Sequence, residues 1–260
     1  MRPQNPLHIA VLLHPPIQLL DLSPIDLFAM LSVSYLTACS LPPSLIALGI
    51  PDSSLRITYV APEGAGSLAD TTAMLNLQAT AGLTDSVVQP GNVDILLLPG
   101  PDPSAEIRED VRKFVKSHFD TGNTDILTVC TGVIIAAASG ILENRTATGS
   151  RGIVDPILRK QYPGTKWRDD VRWWIEGRIW TSGGITNGQD MVAAYIRQRW
   201  PGSLSETVCA MADVGERGQY YTVGKTRDTA WWVWNIFRAW SVGLVGGGGK
   251  EKGKGRGKSV

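Results

Sequence analysis

The stretch DILTVCTGVIIAAASG, residues 125–140, constrains this 260-residue chain more than any other. Ile126, Leu127, Thr128 and Val129 favour an extended backbone, whereas the following run from Gly132 to Ala138 is small, apolar and compatible with a helix. Cys130 therefore stands at the hinge where a strand turns into a helix. Such a hinge presents its side chain at the top of a sheet, with the free N–H groups of the helix aimed at it. Two readings follow from the residues alone. Cys130 is a small buried hydrophobe, the usual state of a free cysteine, or it is the nucleophile of a strand–turn–helix elbow.

The remaining chain supplies the framework for that elbow. VDILLLPG (93–100) is a nearly continuous apolar run ending in Pro-Gly, the pattern of a central parallel strand. Residues 8–13 and 56–61 read as two more strands, and MLNLQATAGL suggests further extended structure. LDLSPIDLFAML reads as a helix with Ser23 as N-cap and Pro24 at its first position, facing the core through Leu27, Phe28 and Leu31. Residues 39–53 read as loop with a short helical piece, and Ser104 is expected to cap an amphipathic helix running to His118. Residues 146–164 read as loop plus a short helix. VRWWIEGRIWTSGG reads as a hairpin around Glu176-Gly177, with a helix over 187–200 after it. Alternating strands and helices with apolar central strands predict an α/β, three-layer sandwich on a mainly parallel sheet. Sites in such folds lie beyond the carboxyl ends of the strands, so the loops carrying Asp21, Gly100 and Cys130 should converge.

Composition narrows the function classes. Lysine and arginine total 25 against 24 acidic residues, a formal net charge of +1, which argues against a nucleic-acid partner. Cys39, Cys130 and Cys209 are odd in number and widely spaced, giving neither a disulfide framework nor metal-ligand spacing; a reducing, cytoplasmic setting is expected. His8, His14 and His118 are scattered without a ligand motif, so no metal site is expected. The N-terminus reads as a first strand rather than a signal peptide. Near the other end, TAWWVWNIFRAWSVGLV (229–245) carries four tryptophans. It is short for a membrane span and includes Arg238. It is either a helix packed on the domain or on a dimer partner, or an interfacial helix holding a membrane surface through its tryptophans and the lysines that trail it. The glycine- and lysine-rich residues 246–260 should be disordered. The expected division is an extension over 1–6, a main domain over 7–222, the Trp-rich segment over 223–245 and the tail.

LLHPPIQLLDLSPIDLFAML, DILLLPGPDPS, ILTVCTGVIIAAASGILENRTAT and GRIWTSGGITNGQDM together resemble the DJ-1/PfpI superfamily over roughly residues 7–215. They are most similar to its isonitrile hydratase-like branch, often labelled class I glutamine amidotransferase-like. The resemblance implies a flavodoxin-like fold with a nucleophile elbow, a homodimer, a small-molecule substrate and no cofactor. It makes Cys130 the nucleophile, assisted by the Thr131 hydroxyl, and Asp21 the acid beside it. A helix N-terminus would depress the Cys130 thiol and make it the one readily alkylated cysteine. A carboxyl held near a thiolate in a dry pocket should instead have a raised pKa and be able to deliver a proton. Asp21 could equally be a turn or capping residue, and Asp26 is the competing carboxylate.

Gly100 matches the family glycine whose N–H faces the cysteine, although Pro101 follows it where relatives often have a second glycine. Gly183, Gly184 and Ile185 match the segment lining the same pocket, or form an ordinary turn before a helix. Amidotransferase, peptidase and aldehyde-processing branches place a histidine in the loop after the nucleophile helix. Here that loop reads NRTATGSRGIVDP and has none, so His14 and His118 are expected to be structural. The implied reaction is addition of water to an isocyanide, giving an N-substituted formamide through a Cys130 thioimidate. A glyoxalase-like aldehyde hydratase, or a non-enzymatic redox sensor or chaperone using Cys130, are the alternatives. A DNA-binding regulator is disfavoured, because no helix-turn-helix domain follows.

Overall fold

Strand β1 (Leu7–Leu12) is buried at every position, as a strand apolar everywhere but at His8 must be when both faces of its sheet are covered. The computed structural model describes residues 6–246; the expectations for residues 1–5 and for the tail from 247 onward lie outside the described residues. Two compact units divide after Tyr220.

The first unit is built on a seven-stranded sheet. Its remaining strands in chain order are β2 (Leu55–Ala61), the small antiparallel pair β3 (Leu68–Asp70) and β4 (Asn76–Gln78), then β5 (Ala81–Gly82), β6 (Ile95–Leu98) and β7 (Asp125–Thr128). After these come β8 (Thr146–Thr148), β9 (Lys166–Arg168), β10 (Trp173–Glu176) and β11 (Ile179–Ser182). The main sheet runs β10-β11-β7-β6-β1-β2-β5. All its pairings are parallel except the β10–β11 hairpin. From β1 the chain first builds outward through β2 and β5, then crosses back to β6 and β7. The crevice between β1 and β6 is therefore the topological switch point, where sites of open α/β sheets form.

The central strands send alternate side chains to opposite layers. Ile9, Val11, Ile95, Leu97 and Leu127 join one core with Leu27 and Phe28 of α1 (Pro24–Ala29) and with Met191, Val192 and Ile196 of a long helix over 186–199. Ala10, Leu12, Leu96, Leu98 and Ile126 join the other core with Val111, Phe114 and Val115, and with Val133 to Ile135. The result is the three-layer α/β sandwich with a mainly parallel sheet expected from the sequence. Between α1 and β2 lie α2 (Val33–Ala38) and α3 (Pro43–Ile46). The two helices of the second core are α4 (Glu109–Asp120) and α5 (Gly132–Ala138).

Helix α4 begins four residues later than expected, with Arg108 rather than Ser104 at its N-cap. Asp102 accepts hydrogen bonds from both the N–H (2.7 Å) and the hydroxyl (2.6 Å) of Ser104, a local turn that competes with helix initiation. The segment after α5 is also richer than the expected loop. Strands β8 and β9 form a separate parallel pair. Between them run α6 (Arg151–Ile153), a π-helical turn (Val154–Leu158) and α7 (Arg159–Gln161). Each element is too short to show a period. Helices α8 (Thr186–Arg199) and α9 (Ser203–Met211) complete the unit.

In the second unit, α10 (Lys225–Gly246) is one long helix. Trp231, Trp232, Val233, Trp234, Ile236, Phe237 and Trp240 are all between 53% and 66% exposed. Trp234 stacks on Phe237 (ring centroids 6.2 Å apart, 28°). Among the described residues, no helix is long and apolar enough to cross a membrane.

Candidate active site

Asp21 lies in a single 3-10 turn (Leu19–Leu22) after β1, and is fully buried. Its Oδ2 accepts the Gly100 N–H at 3.2 Å, which ties the loop after β1 to the loop after β6 across the switch point. Gly100 is required there: a Cβ would collide with Asp21 Oδ2 and the Thr131 hydroxyl, and would sit 3.1 Å from the Thr131 nitrogen. Asp21 Oδ1 has no hydrogen-bond partner among the described residues. Burial pushes the carboxyl up to about 7, and the Gly100 N–H, the Cys130 thiol and the Ile185 N–H pull it only partly back. Desolvation wins because the charged form has too few donors to replace water. The competing carboxylate, Asp26, is exposed on α1.

Cys130 occupies the elbow between β7 and α5 with φ +58°, a left-handed backbone uncommon for a non-glycine residue. Its N–H donates to the Gly183 carbonyl (3.2 Å), so the segment after β11 holds the strained residue in place. The side chain is partly exposed. Its Sγ lies 3.0 Å from the Ser150 hydroxyl oxygen. Contrary to the expected depression, the thiol is pushed up, by burial first and by the Asp21 charge second; the Ser150 hydroxyl and the Thr131 and Ile185 N–H groups oppose this. The dipole of α5, a seven-residue helix, does not overcome desolvation. Nor is Cys130 the one accessible thiol, since Cys39 is exposed while Cys209 is buried.

The other expected site residues converge on the same end of the sheet. Thr131 is buried, and its hydroxyl donates to the Pro101 carbonyl at 2.6 Å. It thus binds the loop after β6 rather than sulfur, and its N–H is the group that faces Cys130. The Gly183 N–H donates to the Arg172 carbonyl (2.8 Å), which leaves its own carbonyl for Cys130. Gly184 flanks Ser150, whose Oγ would be 3.5 Å from a Cβ built there. Ile185 adopts φ +34°, a strained conformation for a β-branched residue. Its N–H serves both Asp21 and Cys130.

The residue missed in the sequence is Ser150. It comes from the histidine-free loop, and a loop serine carries no local signal of what it touches.

Two of the histidines lie at the far end of the sheet. His118 is fully buried, its Nδ1 3.3 Å from the Thr124 hydroxyl and its Nε2 3.0 Å from the Val88 carbonyl. Thr124 precedes β7, so His118 sits at the sheet end opposite Cys130. Burial lowers its pKa to about 4. His8 bonds the Asn92 carbonyl (2.7 Å) and Thr58 (2.8 Å), also at the far end. His14 is buried just after β1, and burial lowers its pKa. Among the described residues, no group of three His, Cys, Asp or Glu side chains could hold a metal ion. A cavity of about 740 Å³ opens at the amino ends of the strands, beside Asp94, Asp125, Trp180 and Tyr195. It is remote from this chemistry.

The site can therefore place a sulfur nucleophile beside a carboxyl that exchanges its proton near neutral pH, with neutral donors around the sulfur and, among the described residues, no imidazole hydrogen-bonded to it.

Comparisons with known proteins agree with this architecture. A fly protein, DJ-1beta of Drosophila melanogaster, superposes with a TM-score of 0.61 at 13% identity, covering 80% of this chain and 98% of that one. A THiJ/PfpI family protein from Pseudomonas syringae gives 0.61 at 18% identity, covering 85% and 80%. An AraC family transcriptional regulator from Pseudomonas putida gives 0.63 at 12% identity, covering 80% and 100%. At such identities the shared property is the fold. Among curated protein sequences no match is found. The DJ-1/PfpI family profile matches residues 48–198, more than half of the sequence. Together with the elbow and the seven-stranded sheet, that match establishes that this chain belongs to the DJ-1/PfpI family.

Proposed function

We propose that the protein is a cysteine-dependent hydratase acting on a small isocyanide, R–N≡C, to give the N-substituted formamide. The observation that carries this reading is the buried Asp21 carboxyl, pushed up to about 7 and facing Cys130. A thiol beside an acid suits an unsaturated carbon that must gain both a nucleophile and a proton. As the sulfur of Cys130 bonds to the terminal carbon, its S–H bond breaks and the proton passes to the ionised form of Asp21, which delivers it to that same carbon, giving the thioimidate R–N=CH–S. Water then adds to the carbon: its oxygen bonds there, Asp21 accepts one of its protons, and that proton passes to nitrogen. Collapse breaks the C–S bond, forms the formamide carbonyl and returns the hydroxyl proton to sulfur. Ile185 and Thr131 present N–H groups to the sulfur throughout, and Gly100 steadies the carboxylate form of Asp21. The absence of a histidine partner disfavours amide hydrolysis, in which an amine leaving group needs a general acid–base relay.

The wild-type protein should convert an aryl isocyanide to its formamide, with the carbonyl oxygen labelled when the reaction runs in ¹⁸O water, as read by mass spectrometry. Consumption of methylglyoxal with isocyanides left intact would replace this reading by the aldehyde hydratase.

The aromatic surface of α10 supports a second property, attachment to an anionic lipid surface. Val233, Ile236, Phe237 and Trp240 recur at helical spacing along one side, and the sequence continues into Lys250, Lys252, Lys254, Arg256 and Lys258 against the single acid Glu251. Aromatic insertion plus a trailing basic segment is the two-signal arrangement that membrane-surface binding needs. Full-length protein should co-sediment with phosphatidylserine-containing vesicles and much less with phosphatidylcholine alone. Replacing Trp234, Phe237 and Trp240 by serine should remove most of that binding; unchanged sedimentation would refute the attachment.

A further inference from the structure

Among the described residues, Ser150 is the one side chain outside the expected site whose polar atom is shown to reach the sulfur of Cys130. Its Oγ stands 3.0 Å from Sγ, well inside hydrogen-bonding range for sulfur. The serine is held from both sides. Ahead of it, the Thr148 N–H donates to the Thr181 hydroxyl (2.9 Å) and the Thr148 hydroxyl donates to the Arg168 carbonyl (2.8 Å). Behind it, the Ser150 carbonyl accepts the Ile153 N–H (2.9 Å), and Arg151 Nε donates to the Asp169 carbonyl (2.9 Å). A backbone fixed this way keeps the Ser150 hydroxyl beside the sulfur, where it can donate to a thiolate without reorganising the loop, the condition for a useful preorganised donor.

We propose that Ser150 is the positioning residue of the nucleophile, a neutral donor that orients the Cys130 sulfur and stabilises its thiolate while the thiol proton moves to Asp21. In that step the S–H bond breaks, an O–H bond forms on the Asp21 carboxylate, and the Ser150 O–H donates to the resulting thiolate. Asp21 is the titratable group facing Cys130; the other groups around the sulfur are the hydroxyl of Ser150 and the N–H groups of Thr131 and Ile185. Serine cannot exchange a proton near neutral pH. The loop thus supplies orientation and a hydrogen bond, and leaves all proton traffic to Asp21. The assignment rests on the reading of Cys130 as the nucleophile.

The test uses the full chain and follows iodoacetamide alkylation of Cys130 against pH, resolved by peptide mass spectrometry so that Cys39 does not interfere. A hydrogen bond to a charged group is worth enough to move a thiol midpoint by about one pH unit. Ser150→Ala should raise the midpoint by that amount, and Ser150→Thr should keep it near the wild-type value. Ser150→Val is nearly isosteric with Ser150→Thr and lacks the hydroxyl, so it should follow Ser150→Ala; this pair decides the matter if the alanine variant does not fold. A midpoint unmoved in the alanine and valine variants, or moved equally in threonine and valine, would overturn the role. Alkylation requires no isocyanide. A shifted midpoint in a protein that leaves isocyanides untouched would therefore count against the substrate and not against Ser150.

Discussion

Cys130→Ala should show no measurable isocyanide hydration, and Asp21→Asn should lose about 10²–10⁴ in rate while keeping its fold. The first variant cannot form the carbon–sulfur bond. The second retains the shape of Asp21 and can still donate a hydrogen bond, but an amide cannot give up a proton and become a carboxylate. His118→Gln should retain turnover, because its ring bonds the Val88 carbonyl and the Thr124 hydroxyl at the far end of the sheet.

The same Asp21→Asn variant has a stability signature of opposite direction. The folded carboxyl holds its proton up to about 7, against an ordinary 3.8, so between those values the folded chain binds more protons than the unfolded one. Its contribution is fully present below pH 4 and is lost as pH rises to about 7. Removing the ionisable group removes that loss. Asp21→Asn should therefore gain on the order of 1–3 kcal/mol over wild type at pH 8 relative to pH 4 in urea unfolding. Normal turnover by Asp21→Asn beside an inactive Cys130→Ala would remove the proton-donor role alone; parallel pH profiles of stability would show that Asp21 is not held protonated by the fold.

Gly132→Ala should cost about 3 kcal/mol or more, among the largest effects available to a single methyl group. A Cβ there would collide with the Leu98 carbonyl oxygen and lie 2.9 Å from the Leu98 carbonyl carbon and 3.1 Å from that of Pro99. All three are backbone atoms of the end of β6 and the loop leading to Gly100, so no side chain can turn away. Relief would require moving α5 off the sheet, and with it the elbow that carries Cys130. Gly152→Ala is the matched comparison: it lies in α6 with nothing within 4 Å of the added carbon. That change should be neutral or slightly stabilising, by at most about 1 kcal/mol. Equal unfolding midpoints for the two variants would show that the crossing of α5 over β6 is looser than the structure describes.

Period and punctuation in the sequence carried the framework. The run from Ile95 to Leu98, the hairpin turn at Gly177 and the strand-to-helix change at Cys130 all lie where local pattern placed them, because buried parallel strands must be apolar and an elbow needs a small-residue helix behind it. The convergence of Asp21, Gly100 and Cys130 followed from one topological rule. Boundaries set by side-chain competition were less legible, as the Asp102–Ser104 turn that delays α4 shows. Strands β8 and β9 are three residues each, too short for any alternation.

What only the tertiary structure decided is the electrostatics of the site. The sequence put Cys130 at the start of a helix, from which a depressed thiol follows; the fold buries it against Asp21, and desolvation outweighs the dipole of two helical turns. It also directs the Thr131 hydroxyl to Pro101 and brings Ser150 to the sulfur across 20 residues of chain. Local sequence determines which backbone shapes are affordable, and so determined the elbow. Protonation depends on how much water surrounds a group and which distant donors replace it, and those quantities come into being only when the loops after β1, β6, β7, β8 and β11 meet.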